Sequence, residues 1–298
     1  MKSPKILFPC NPSNPKEVDY EFKSEYSIAN TLGIESFFYD HDLLAAEDKI
    51  KLYGLKDEVS IVILRGWMLT PSQYEKLFNS LAKKNYHLYT NPVAYIQLHY
   101  LKNSYKYIES YTAKTLFSDK FDKETLGEMF DQFENGIVLK DYVKSEKHIP
   151  GLFIIPKETT HEQLEDVVKR FIEARGKLFN EGVAFRDFID LKKYDGEVNE
   201  WRTFIFKDKI VALEQNSNIN TNTNNLSSPS REWVLYVSRR LSLLSTFYTI
   251  DLAEKADGSW MVVETGDGQV SGLAPHQSPL GLYNAFLTPI EFKRHTIL

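Results

Sequence analysis

The stretch Phe247–Leu273, FYTIDLAEKADGSWMVVETGDGQVSGL, constrains the fold of this chain more than any other. Two apolar runs, Phe247–Ala253 and Trp260–Glu264, flank Asp257-Gly258, a dipeptide that accepts the positive φ angles of a type I′ hairpin turn. A two-residue tip pairs 256 with 259, 253 with 262 and 251 with 264. Asp251 then stands opposite Glu264, both carboxylates on one face with Cβ atoms roughly 4.5–5.5 Å apart. Like charges so placed destabilise a sheet unless something lies between them. Two readings follow. One is a divalent cation such as Mg²⁺, a hard ion that takes carboxylate oxygens and brings phosphates with it. The other is a pair of solvated acids on an outer face. Trp260 and Val262 share the Glu264 face by alternation, which favours partial burial.

The 298 residues suffice for a core divided into two or three lobes. Hydrophobic content of 42% and charged content of 26% are those of a folded soluble protein. A net charge of −5 gives no general nucleic-acid surface, though a local basic groove remains compatible with it. The single cysteine, Cys10, rules out an internal disulfide and suits a reducing compartment. The apolar run in MKSPKILFPCNPSNP is too short for a signal peptide, and no window is long enough to span a bilayer. A cytoplasmic protein with no membrane partner is therefore expected.

Residues 1–95 read as a Rossmann-like domain. Lys5–Pro9, Ile34–Tyr39, Ser60–Leu64 and His87–Thr90 are strands, interleaved with helices over Glu17–Leu32 and Pro71–Lys84. Gly33 closes the first helix and Pro71 opens the second. Ligands on parallel sheets lie beyond the carboxyl ends of the strands. Arg65, just past SIVIL, is thus either an anion contact for a substrate or a surface arginine. No GxGxxG or Walker A pattern occurs, so a dinucleotide or P-loop function has no support.

Residues 96–185 form the next lobe. Ala94–Ser110 reads as one helix with Lys102 and Lys106 a turn apart on one face. The strand Ile137–Val143 carries Lys140 among apolar neighbours, where a lysine must snorkel or meet an anion. Lys144–His148 is either a solvated turn or a phosphate cover, and His161–Leu178 is an amphipathic helix.

Residues 186–298 make the last lobe. The strand Val183–Ile189 leads into it through Asp190. Asn199–Phe206 and Ile210–Leu213 form a hairpin with Glu200, Arg202 and Phe204 on one face. Gln215–Ser230 lacks periodicity and is a solvated insertion or a lid over substrate. Ser228 as N-cap and Pro229 at N1 start a helix that passes through Arg239-Arg240 to Leu244.

The order of these features, a Rossmann-like domain, a lysine-bearing strand, a strand leaving into a polar hinge, an E-x-R strand and a D…DG…E hairpin, resembles the ATP-grasp superfamily. Within it, the chain is similar to the small ATP-grasp domain proteins of the R2K branch, over roughly residues 90–275. The resemblance implies an α/β fold: an N-terminal parallel sheet followed by two ATP-grasp lobes with an ATP cleft between them. It implies ATP and Mg²⁺ as cofactors. Lys140 matches the strand lysine on the nucleotide phosphates, and Lys102 or Lys106 the earlier phosphate lysine. Backbone groups of Arg186, Asp187, Phe188 and Ile189 match the hinge that holds adenine. Glu200 matches an acidic residue near the ribose, and Arg202 an arginine that reaches the γ-phosphate or the acyl phosphate. Asp251 and Glu264 match the magnesium ligands. Where the family has asparagine two positions further on, this chain has Gly266, and Asp267 is the available substitute. The glycine-rich phosphate loop of many members is replaced by Lys144–His148.

The implied activity is ADP-forming ligation: a substrate carboxylate becomes an acyl phosphate, which an amine then attacks. The substrates would be small-molecule or peptide carboxylates and amines. Arg65, Arg239 or Arg240 could hold the substrate carboxylate in a bidentate fork, and His276 could take the amine proton. An exposed helix face is the commoner fate of an arginine pair, and a structural role that of a turn histidine beside Pro275. Alternative activities for the same cleft are a phosphotransferase or nucleotidyl-transferring ligase, or a non-catalytic nucleotide-binding module. A nucleic-acid role has only scattered Lys and Arg and abundant aromatics behind it, and aromatics at this density usually form core. Oligomeric state leaves no mark in the sequence.

Overall fold

The computed structural model describes residues 3–143, 149–220 and 226–288. Its first sheet holds β1 (Lys5–Asn11), β2 (Asn14–Val18), β3 (Ser36–Tyr39), β4 (Leu52–Tyr53), β5 (Ser60–Leu64) and β6 (Tyr86–Leu88). The order is β4-β3-β1-β5-β6, parallel from β3 to β6, with β4 and β2 added antiparallel. The central runs are apolar throughout because both faces are covered. Ile6, Phe8, Phe38 and Ile63 pack on α1 (Lys23–Thr31), while Leu7, Phe37, Val62 and Leu64 pack on α2 (His41–Glu47), α3 (Pro71–Ala82) and α4 (Pro92–His99). Pro71 opens α3 as expected, helped by a capping box between Thr70 and Gln73.

The one helix expected over Ala94–Ser110 is two, α4 and α5 (Leu101–Ile108). Tyr100 between them is extended, and the Leu101 N–H donates to the Tyr142 carbonyl at 2.8 Å instead of continuing the helix. A distant strand end, which no local pattern announces, breaks the helix.

The second sheet contains β7 (Thr115–Ser118), β8 (Ile137–Asp141), β9 (Ile154–Ile155) and β10 (Val183–Asp187), antiparallel in the order β7-β10-β8-β9. Its Ile137, Leu139, Val183 and Phe185 pack under α6 (Lys123–Phe130) and α7 (His161–Arg175). Alternation therefore sends Lys140, Ala184 and Arg186 to the opposite face. Lys144–His148 lies outside the described residues, as do 221–225 of the Asn-rich loop.

A short ribbon, β11 (Lys193–Tyr194) with β12 (Glu197–Val198), precedes the last sheet. That sheet comprises β13 (Glu200–Phe206), β14 (Lys209–Gln215), β15 (Phe247–Glu254) and β16 (Trp260–Asp267), antiparallel in the order β14-β13-β15-β16. One face, with Ile205, Tyr248, Ile250, Leu252 and Val262, packs on α5 and α8 (Arg231–Leu241). On the other, Phe204, Phe206 and Phe247 meet α9 (Leu280–Phe286) and continue into the core of the N-terminal sheet. Helix α8 starts after Ser230 rather than Ser228, because the Ser230 hydroxyl is the one that accepts the Trp233 N–H. The expected architecture, a parallel N-terminal sheet followed by two lobes that face each other, is the one the chain adopts.

The β15–β16 turn is longer than the two-residue tip expected from Asp257-Gly258. Glu254 pairs with Trp260, and Ala253 with Met261 rather than with Val262. Only Gly258 takes a positive φ, 84°; Asp257 instead accepts hydrogen bonds from the Ser259 N–H and hydroxyl. That slip of one position would have turned Glu264 to the wrong face. A β-bulge at Val263 restores it, so Asp251 stands opposite Glu264 after all.

Candidate functional site

Lys140, Arg202, Asp251 and Glu264 come together where the face of the second sheet opposite α6 and α7 meets the last sheet. Asp251 and Arg202 are register partners on neighbouring strands. Arg202 donates through Nε to Oδ1 at 2.8 Å and through Nη2 to Oδ2 at 2.6 Å, a bidentate fork, while its Nη1 donates to the Gly272 carbonyl at 2.9 Å. Lys140 Nζ donates to Glu264 Oε2 at 3.3 Å across the gap between the lobes. Each carboxylate of the pair thus has its own cation, which answers the like-charge repulsion. Burial disfavours the charge on Arg202, yet the hydrogen bonds and charge of Asp251, aided by Glu264 and Glu200, hold its pKa above the ordinary value.

A cavity of about 230 Å³ is lined by Arg202, Asp251 and Glu264 of this cluster, together with Trp67, Met68, His99 and Thr249. The donor chemistry fits Mg²⁺. Asp251 and Glu264 supply hard oxygens from one face, and the Glu264 side chain is 30% exposed toward solvent. Among the described residues no three His, Cys, Asp or Glu side chains cluster as metal ligands. Mg²⁺ does not require that, since it commonly takes one or two carboxylates plus phosphate oxygens and water.

Asp267 does not complete the set. Alternation along β16 places it on the face opposite Glu264, fully buried, where its Oδ1 accepts the Gln269 N–H at 3.0 Å and its Oδ2 has no hydrogen-bond partner among the described residues. Burial pushes its pKa up to about 7 against the pull of those N–H bonds and of Arg65. The glycine at 266 has a steric reason. A Cβ there would lie 2.7 Å from Ser271 Oγ and 2.8 Å from Thr249 Oγ1, two hydroxyls that bond each other at 2.8 Å and fill the space.

The remaining candidates divide. Lys102 reaches the end of the Lys140 strand, its Nζ 3.3 Å from the Tyr142 hydroxyl and over that ring, whereas Lys106 lies over the neighbouring Tyr107. In the hinge segment Arg186 is inside β10, paired on both sides, and the Asp187 and Phe188 N–H groups donate to Lys114 and Gly136 carbonyls. The Arg186 side chain, buried, turns instead to β16, donating to the carbonyls of Val262 and Val263. Glu200 accepts from Asn216 at 2.9 Å, anchoring the start of the Asn-rich loop, and does not line the cavity.

Arg65 is not a surface residue, and the anion it meets here belongs to the protein itself. It is fully buried, forks onto Glu25 at 2.7 and 3.0 Å, and donates to the carbonyls of Gly268, Gln269 and Ser271. The Tyr283 hydroxyl donates to the same Glu25 at 2.9 Å. Arg65 therefore ties the carboxyl end of β5 to the segment after β16. Arg239 and Arg240 lie on the exposed side of α8, with Arg240 over the Tyr111 ring, and His276 is exposed in a turn. None of these three lines the cavity. Sequence reasoning puts Arg65–Met68 beyond a parallel strand, where ligands lie, but weighs only Arg65 there as a contact, whereas Trp67 and Met68 are exposed beside the cavity. It also overlooked His99, which stacks on Tyr95, and here periodicity offered no signal.

No helix among the described residues is long and apolar enough to cross a membrane. Comparison with known proteins finds no match among curated sequences. Solved structures match over nearly the whole chain. A RimK domain ATP-grasp protein from Sphaerobacter thermophilus is 13% identical with a TM-score of 0.60, over 95% of this chain and 98% of its own. The D-alanine-D-alanine ligase from Coxiella burnetii is 12% identical with a TM-score of 0.61, over 96% and 93%. The ATP-grasp ligase PsnB, solved with a minimal precursor, Mg and ADP, is 11% identical with a TM-score of 0.58, over 94% and 96%. At such identities the likeness is one of fold. A family model, that of the ATP-grasp domain, R2K clade family 3, matches residues 126–285, a span that takes in Lys140, Arg202, Asp251 and Glu264 and more than half of the sequence. The chain belongs to this ATP-grasp family.

Proposed function

We propose that this chain is an ATP- and Mg²⁺-dependent ligase that activates an amino-acid or peptide carboxylate as an acyl phosphate and joins it to an amine, releasing ADP and phosphate. The observation that carries the reading is the Asp251–Glu264 pair, each member held by its own cation and opening on one cavity. Bound Mg²⁺ supplies charge neutralisation on the phosphoryl oxygens and a template for in-line transfer. Asp251 and Glu264 would hold the cation, and Arg202 and Lys140 beside them would set their positive charge toward the transferring phosphoryl group. The Lys140 side chain is only 7% exposed, and charges kept from water act strongly on the charge that develops in transfer. The substrate carboxylate oxygen attacks the γ-phosphorus as the bond to ADP breaks. The amine nitrogen then attacks the acyl carbon, phosphate leaves, and the amine proton passes to solvent.

In this reading Lys102 is the earlier phosphate lysine and Asp187–Ile189 the adenine edge. Trp67 and Met68 form an apolar lip for the substrate. Two neighbours add support for the substrate class: one is named as a D-alanine-D-alanine ligase, the other was solved with a precursor, Mg and ADP. The test is nucleotide product analysis with ATP, Mg²⁺ and pooled amino acids and small carboxylates. ADP and phosphate should rise when carboxylate and amine are both present, and Glu264→Gln should abolish that turnover in a folded protein. AMP with pyrophosphate would replace the mechanism with adenylylation. Unchanged turnover in Glu264→Gln would remove the site.

A further inference from the structure

The bulge that brings Glu264 opposite Asp251 is gripped from the other lobe. Below it the pairs are Ala253 with Met261 and Leu252 with Val262; above it they are Asp251 with Glu264 and Ile250 with Thr265. Val263 is the extra residue. Without it, Asp251 would face Val263, and Glu264 would turn toward the apolar face that carries Ile250 and Leu252.

Successive carbonyls of a regular strand point to opposite edges, so one side chain cannot ordinarily reach both. Here the Arg186 guanidinium donates through Nη1 to the Val263 carbonyl and through Nη2 to the Val262 carbonyl, the latter at 2.9 Å. Its fork is made for the bulged backbone and not for the straight one. Thr112 completes the grip: its hydroxyl donates to the Val262 carbonyl at 2.7 Å and accepts from Arg186 Nη2. Arg186 is buried, which lowers its pKa to about 10 against the opposing pull of the Glu264 charge. It stays cationic at neutral pH, behind the carboxylate it helps to aim.

We propose that Arg186, with Thr112, is a positioning residue that locks the Val263 bulge and thereby sets Glu264 against Asp251 for metal binding. The metal half of this inference rests on the nucleotide-cleft reading above; the bulge half does not. Arg186→Lys keeps a charge but cannot fork two carbonyls, and Thr112→Val removes the linking hydroxyl from a half-buried site. Two measurements are made: hydrogen–deuterium exchange over 260–267 in metal-free protein, and Mn²⁺ affinity by electron paramagnetic resonance with a non-hydrolysable ATP analogue present. Arg186→Lys should speed exchange in 260–267 but not in 200–206. It should also weaken Mn²⁺ binding by about tenfold, the scale of lost outer-shell support, while metal-free nucleotide affinity holds. Thr112→Val should move both readouts the same way by a smaller factor, and Thr112→Ser should restore them. Folded Arg186→Lys and Thr112→Val proteins with wild-type exchange and wild-type Mn²⁺ affinity would overturn the inference. Should Arg186→Lys fail to fold, Thr112→Val decides. A wild type that binds neither Mn²⁺ nor nucleotide would refute the cleft reading and the metal half with it, and exchange would still decide the grip on the bulge.

Discussion

Replacing Arg65 by alanine separates a structural arginine from a substrate-binding one. The substitution strands the Glu25 carboxylate, whose side chain is 5% exposed, and leaves the carbonyls of Gly268, Gln269 and Ser271 without this donor. Breaking a buried pair by removing one partner costs ~3–5 kcal/mol. An abandoned buried acceptor adds ~1–3 kcal/mol, less where water enters the space left behind. A total of ~4 kcal/mol or more is expected, a large part of the stability of any domain. At a urea m-value of about 2 kcal/mol/M, the midpoint falls by roughly 2 M. The assay is equilibrium urea unfolding of wild type, Arg65→Ala, Glu25→Ala and the double variant. The double variant should be far more stable than the sum of the single losses predicts, with a coupling energy of about 3 kcal/mol. Arg65→Ala unfolding within ~1 kcal/mol of wild type, together with weakened substrate binding, would refute the reasoning and make Arg65 an anion contact.

Lys140→Ala should weaken ATP binding by calorimetry; an unaltered affinity would leave that lysine as no more than a partner for Glu264. Alanine at Arg239, Arg240 or His276 should leave turnover and substrate affinity within about twofold, as for exposed sites outside the cavity; a larger loss at any of them would return it to the machinery. Asp267 holds its proton in the folded protein up to about pH 7, well above its unfolded value. The folded state then binds the extra proton, so the contribution of Asp267 to stability declines as pH rises from the ordinary carboxylate range to about 7 and is level beyond it. Asp267→Asn should flatten that slope and gain most above pH 7, by up to ~4 kcal/mol, in urea unfolding of metal-free protein; parallel pH profiles for the two proteins would contradict this.

Local periodicity carried β1, β3, β5 and α3, the β13–β14 hairpin and the pairing of Asp251 with Glu264, because alternation and turn chemistry act over a few residues. It gave no β2, β4 or α2, and the α-helix expected from Glu17 begins only at Lys23, after the strand Asn14–Val18. The pairing came out right through two departures that offset each other: a longer turn at Asp257-Gly258 and a bulge within Met261–Val262–Val263, where nothing in the residues marks a bulge. The break at Tyr100 depends on the Tyr142 carbonyl just past the end of β8, and the fate of Arg65 on a glutamate in α1. Both partners are distant in sequence, and no helical or strand period encodes them. The order of the motifs carried the resemblance to ATP-grasp proteins, whereas the partners of Arg202 and Lys140 required three dimensions.

The shared core of the first and last sheets has a consequence for synthesis. Ile6, Phe8, Phe38 and Ile63 lie against Phe204, Phe247 and Tyr283, and the Arg65–Glu25 pair takes its remaining bonds from residues 268–283. On the ribosome, at ~5–20 residues per second, those C-terminal partners emerge some ~10–40 s after Arg65. Throughout that interval the nascent parallel sheet has one face finished and the other covered only by α1 and the residues just before it. Aggregation of truncated chains should therefore begin at that half-covered face, and holding factors that shield apolar surface should matter most for chains stalled between β6 and β13.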